Sequence, residues 1–245
     1  MASIPCPLFV IRDRLSGRNM DAMDGLDTDG ACGGGYREEE EDLVPELPFS
    51  RKEWLLPIMP SEAVSLCECS HVEWGGVLSV STKAQMEKKR LISLVLENKY
   101  KDSTPGPRDK DWMVGEACVA NWSVDKKWYR AQVRIVKKQK KQVWVNLVDY
   151  GSNAWCHQKH LRRNLFTTDM PIQSVTIKMD GVAPLNGAME WPKDVLDMLH
   201  TMLVDQKVRI RLAPGSTCLP VFASIDFGET SVQQFLVDNK FARWI

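Results

Sequence analysis

The chain has 245 residues, and its 32 Lys+Arg balance its 32 Asp+Glu to a formal charge of zero. It carries no apolar run of membrane-spanning length and no basic segment leading into an apolar core, which points away from a membrane protein. Its seven cysteines are odd in number and include no Cys-x-x-Cys pair, a pattern of free thiols in a reducing compartment, so a cytoplasmic protein is expected.

The balance of charge is global, not local. Residues 1–50 hold eleven Asp+Glu against four Arg, a net of −7. Residues 112–165 hold eleven Lys+Arg against three Asp+Glu, a net of +8. A basic module behind an acidic tail suits anionic or protein partners.

In chain order, residues 1–50 lack hydrophobic periodicity and are rich in Gly, Asp and Glu, which predicts a disordered tail with a short ordered patch at Leu8–Ile11. Residues 51–60 read as an extended approach segment. Ala63–Cys69 and Gly76–Val80 read as two strands joined through a turn. Lys83–Tyr100 then reads as a helix whose apolar side is Met86, Leu91, Leu94 and Val95, with Glu87–Arg90 facing out. Lys101–Asp111, with Pro105 and Pro107, is a linker. After residue 165, Ile172–Gly181 reads as a strand and Pro192–Asp205 as a helix with Val195, Leu196, Leu199, Met202 and Leu203 on one face. Lys207–Ala213 and Leu219–Asp226 alternate as strands. Ser231 and Gln234 form a capping box for a last helix.

The central stretch runs from Gly115 to Gly151. Three short runs there, 115–122, 128–136 and 143–149, alternate apolar and polar residues and are bounded by turn chemistry, which predicts antiparallel strands. Tyr129, Ala131, Val133 and Ile135 share one face of the second run, and Val143, Val145 and Leu147 share one face of the third. Pairing outward from the connection at Lys137–Gln142 sets Tyr129 roughly opposite Leu147–Asp149. Trp122, Tyr129, Leu147 and Tyr150 therefore gather at one end of one small sheet. Such a cluster serves equally well as a ligand pocket or as a cap on the barrel core.

Cys118-x-Ala120 before an aromatic, Trp128-Tyr129-Arg130-Ala131, and Val148-Asp149-Tyr150-Gly151 together resemble a Tudor domain, and more narrowly the extended Tudor domain of the germline PIWI/piRNA pathway. The resemblance covers about 61–245. It implies a mainly β fold with some helix, in which a Tudor SH3-like barrel is joined by a helix to a split OB fold of the staphylococcal-nuclease (SN-like) type. The expected division is a tail and approach segment at 1–60, the first part of the OB fold with its linker helix at 61–111, the Tudor barrel at 112–165 and the second part of the OB fold at 166–245. Neither flank has enough strands to close a sheet alone, which agrees with flanks that complete one another.

The resemblance also implies a ligand, a methylated arginine held in a cage of aromatic rings. Methylation keeps the guanidinium charge but blocks bidentate hydrogen bonding, while ring faces attract a partly desolvated cation. Trp122, Tyr129 and Tyr150 match three cage walls. Leu147 stands where the family has an aromatic, and Ser152 where it has Asn, with Asn153 adjacent as a substitute. A pocket with weakened methyl selectivity follows. The partner implied is an arginine-rich or methylarginine-containing protein segment, such as that of a PIWI-type Argonaute, in cytoplasmic germ granules. The alternatives are a methyl-independent scaffold using another surface, and RNA or an acidic partner bound by Lys126, Lys127, Arg130, Arg134, Lys137, Lys138, Lys140 and Lys141.

Cys67, Cys69 and His71, and later Cys156, His157 and His160, lack the spacing of a structural zinc site. No metal site and no cofactor are expected. No nucleophile elbow, phosphate-cradling loop or histidine-centred triad is present, and no catalytic residue is assigned. The reading is of a non-enzyme.

Overall fold

The computed structural model describes residues 53–245 apart from 63, 164, 189, 216 and 217. The expected tail at 1–50, its patch at Leu8–Ile11 and the first two residues of the approach segment lie outside the described residues. The remainder belongs to one compact unit spanning Arg51–Ile245.

Strands β1 (Val64–Val72) and β2 (Val77–Thr82) form a hairpin and lead into helix α1 (Lys83–Tyr100). Thr82 caps α1 in a reciprocal capping box with Gln85, which satisfies two donors at the helix start. The helix has the predicted bounds but not the predicted face. Gln85, Lys89, Ile92, Leu96 and Tyr100 are buried, whereas Leu91, Leu94 and Val95 are exposed. The reason is the docking partner. Ile92, Leu96 and Tyr100 pack with Trp54, Ala117, Val119 and Trp128 in one cluster, and the neighbouring turn of the same stripe carries Lys89 inward on its aliphatic stem.

The next five strands are β3 (Ala117–Asn121), β4 (Trp128–Lys137), β5 (Gln142–Leu147), β6 (Asn153–His157) and β7 (Leu161–Arg162), in sheet order β6-β5-β4-β3-β7. Cys118, Ala131, Val133, Val145, Leu147, Ala154 and Leu161 line the interior of this small barrel. The β4–β5 register sets Ala131 opposite Leu147, so Tyr129 falls level with Asp149 as expected. One expectation fails. The register shifts between Val133 and Ile135, a bulge that turns Ile135 to the outside, where it is 49% exposed.

The chain then returns through β8 (Val175–Met179), β9 (Val182–Pro184), α2 (Lys193–Leu203), β10 (Lys207–Leu212), β11 (Val221–Phe227), β12 (Thr230–Ser231), α3 (Val232–Asp238) and β13 (Ala242–Trp244). The strands β10-β1-β2-β8-β11 form one sheet that closes on itself through a β10–β11 pairing. β8 and β11 run parallel and every other neighbour in this ring is antiparallel. This is the OB topology. Its first two strands precede the small barrel and its last three follow it, so neither flank closes alone. Val195, Leu196, Leu199 and Leu203 of α2 fill its core as the periodicity predicts, while Met202 is only partly buried. Ser231 caps α3, but the side chain of Gln234 turns instead to Asp238.

Candidate aromatic cage

The cage begins with the β3–β4 connection, residues 122–127. The Asn121 amide donates to the Lys126 carbonyl at 2.8 Å, and Asp125 Oδ1 accepts from the Lys127 backbone N–H. The other Asp125 oxygen accepts from the Tyr129 hydroxyl at 2.5 Å. This short loop therefore fixes one ring by its polar tip. Trp122 and Tyr129 meet edge to face with centroids 6.2 Å apart, and Tyr129 and Tyr150 do so at 5.4 Å. Both separations suit aromatic pairing.

Tyr150 is held from the side of the OB fold. Ser70 Oγ donates to its carbonyl at 2.9 Å. Gly151 follows at φ +77°, and a Cβ there would lie 1.8 Å from Ser79 Oγ. The site therefore needs glycine twice, for backbone conformation and for close approach to β2. Asp149, one residue earlier, pairs with Arg130 through two bonds of 2.8 and 2.5 Å and accepts from the Gln173 backbone N–H. The same guanidinium donates to the carbonyls of Thr167, Met170 and Pro171. This fully hydrogen-bonded pair ties the barrel to the segment that leads back into the OB fold.

The predicted positions divide as follows. Trp122, Tyr129 and Tyr150 come together. Leu147 is 1% exposed, in the row of Ala131 beside them. Ser152 continues that row, its backbone carbonyl accepting from the Leu147 N–H at 2.7 Å. Its buried hydroxyl has no hydrogen-bond partner among the described residues. Asn153 is a correction. It opens β6 opposite Asn146, whose amide donates to its side-chain oxygen. Strand alternation thus puts it on the outer face, away from the rings.

The basic group is corrected as well. Arg130 is 1% exposed and consumed by its buried partners, so it belongs to no surface patch. Lys126 and Lys127 are exposed at the cage end of β4, while Arg134, Lys137, Lys138, Lys140 and Lys141 are exposed at the other end. At roughly 3.3 Å per residue along this ten-residue strand, Lys127 lies about 23 Å from Arg134 and about 33 Å from Lys137. Cys67 and Cys69 lie in the OB core and Cys156 inside the barrel, where burial pushes each thiol up to about 12.

One cage component has no counterpart in the sequence reading. The Lys89 ammonium lies 4.7 Å from the centroid of Tyr150. It is 7% exposed, and burial pulls it down to about 8 against the opposing pull of Asp149 and Glu68. A cation from the protein itself thus rests on one wall of the cage. The only sequence signal for it is helical phase, since Lys89 lies four residues after Gln85 and three before Ile92 on the buried stripe.

A family model for the Tudor domain matches residues 59–181, half of the chain. The chain belongs to the Tudor family. Members of this family are binding modules. The protein also resembles the extended Tudor domain of human TDRD1 in complex with a symmetrically dimethylated peptide, with a TM-score of 0.69 at 19% identity over 80% of this chain and 97% of that one. A mouse TDRD1 extended Tudor domain bound to a MILI peptide containing dimethylarginine gives 0.68 at 19% identity, over 79% and 99%. The Drosophila melanogaster Papi extended Tudor domain, bound to a Piwi N-terminal peptide, gives 0.60 at 16%, over 74% and 99%. These likenesses establish the extended Tudor fold. In sequence, Tudor domain-containing protein 1 of Oryzias latipes is 25% identical over 132 residues, and the human protein 26% over 149. Those matches cover 52% and 59% of this Tudor chain but only 11% and 12% of the relatives' own length.

Proposed function

We propose that this Tudor protein is a non-catalytic interaction module that takes an arginine-containing segment of a partner protein into the cage of Trp122, Tyr129 and Tyr150. The observation that carries the reading is the edge-to-face cluster of these rings at the end of the barrel, with the Ser152 hydroxyl, which has no hydrogen-bond partner among the described residues, in the adjoining row. Rings attract the cation and the hydroxyl accepts from the guanidinium. Leu147 is buried beside the rings and brings no quadrupole, so methylation adds less affinity than in a four-ring cage. In this reading residues 112–165 form the recognition barrel, 61–111 and 166–245 its OB support, and 1–60 a tail. The partner chemistry follows the relatives, whose extended Tudor domains are bound to dimethylarginine or Piwi peptides. A PIWI-type Argonaute and an adaptor role in small-RNA silencing at cytoplasmic germ granules complete the proposal.

Calorimetric titration of one Arg-Gly peptide, unmethylated and symmetrically dimethylated, tests it. The expected result is binding that weakens about tenfold in Tyr150→Ala, on the scale of one cation–π contact of roughly 0.5–2 kcal/mol. The methylated peptide should bind more tightly by a few-fold only. Equal affinity in the wild type, Tyr129→Ala and Tyr150→Ala moves the partner to another surface.

A further inference from the structure

The barrel has a second aromatic feature, on its outer face and far from the cage. Helix α1 and Trp54 cover β3 and the start of β4, but β5 and β6 carry two half-buried tryptophans outward. Cross-strand register aligns Ile135, Trp144 and Trp155 in one row. The bulge in β4 makes this row possible, because without it Ile135 would point into the barrel. Trp144 and Trp155 lie 5.0 Å apart, and the Lys137 ammonium rests 4.5 Å above Trp155. The row on one side is Lys137, Gln142 and His157, and the row on the other is Gln132, Asn146 and Asn153.

The face is therefore layered across the three strands as cation, aromatic and amide. Lys138, Lys140 and Lys141 extend its cationic edge at the β4–β5 tip. Between Asp125 and Asp169 the sequence holds a single acidic residue, Asp149, which is buried with Arg130. Asp111 lines a small cleft beside Lys137, Lys138 and Lys141 and offsets part of their charge. A cross-strand tryptophan pair stabilises a sheet in its own right. That role accounts for the pair but not for an apolar row turned outward beside four exposed lysines.

We propose that this outer face of β4, β5 and β6 binds single-stranded nucleic acid, with bases stacked on Trp155 and Trp144 and phosphates against Lys137, Lys138, Lys140 and Lys141. Stacking requires unpaired bases, since a duplex hides their faces, and the amide row offers donors and acceptors to base edges. An acidic peptide satisfies the lysines but leaves the tryptophans without a role. The surface is independent of the cage, so both ligands bind together.

The test uses the full chain and a fluorescent eight-nucleotide RNA, followed by anisotropy across a salt series. Trp155→Ala should weaken binding about tenfold or more, with Trp155→Phe restoring most of it. Lys138→Gln combined with Lys140→Gln should lower the slope of log affinity against log salt by roughly 0.7 for each lost phosphate contact. Affinity for the Arg-Gly peptide should stay unchanged in all of these. A thermal transition that stays cooperative and falls by only about 2–4 °C confirms that the tryptophan variants fold. Three results would overturn the proposal: RNA affinity indifferent to Trp155→Ala, equal binding of a duplex, or displacement of the RNA by a polyglutamate peptide that binds regardless of the tryptophans. Absence of binding at low salt overturns it too.

Discussion

The two ends of β4 each carry an aromatic cluster with a lysine on it, and the two are built on opposite principles. At the start of the strand, Tyr150 with Lys89 is enclosed by the OB fold, by α1 and by the Arg130–Asp149 pair. Past the bulge, Trp155 with Lys137 lies on a face that no other element covers among the described residues. The first cluster is shaped by the rest of the protein and the second by strands β4, β5 and β6. Enclosure gives the cage a fixed geometry, and it makes the cage depend on residues far away in sequence.

That contrast can be broken at its strongest point. Asp149→Ala leaves a buried guanidinium without its carboxylate, a loss of about 3–5 kcal/mol and a fall in Tm of roughly 10 °C for a domain of this size. Trp155→Ala should cost only about 1 kcal/mol, the scale of a cross-strand pair. Thermal denaturation compares them directly, and equal losses would remove the asymmetry. Gly151→Ala comes next, at about 3 kcal/mol from a left-handed backbone and collision with Ser79. Pairing it with Ser79→Gly should recover the part due to collision and leave the backbone part.

Lys89→Met gives an effect of the opposite sign, and one that depends on pH. In the folded protein Lys89 releases its proton near pH 8, against an ordinary value of 10.5. Between these values the unfolded chain binds more protons, so wild-type stability rises with pH through that window. The variant lacks this rise. It should therefore be more stable below about pH 8, by up to about 3 kcal/mol, with the advantage fading towards pH 10.5. Denaturant midpoints of both proteins at pH 7 and pH 10 measure it. The same variant removes the cation over Tyr150 and should bind the Arg-Gly peptide a few-fold more tightly.

Much of this arrangement is legible in the sequence, and the exceptions have physical causes. The alternation at 128–136 and 143–149 sets the β4–β5 register, because a one-residue slip would turn every apolar side chain outward. Too few strands on either flank force the OB halves together around the barrel. The bulge is not legible, since Arg134 and Ile135 fit an unbroken alternation until Trp144 is seen opposite Ile135. The face of α1 is misread for a related reason. Leu91, Leu94 and Val95 make as good an apolar stripe as Ile92, Leu96 and Tyr100, and only docking against Trp128 chooses between them. Arg130 reads as surface charge because its partners, Asp149 and three carbonyls from 167–171, lie 19 to 41 residues away.

The central claim, that the enclosed cluster and not the open one receives the arginine ligand, is tested most directly by the indole N–H resonances. In a proton–nitrogen correlation spectrum assigned with single Trp→Phe variants, the dimethylated Arg-Gly peptide should shift Trp122 and leave Trp144 and Trp155 in place. A peptide at saturation that leaves Trp122 unmoved, or that moves Trp155 instead, would contradict the account.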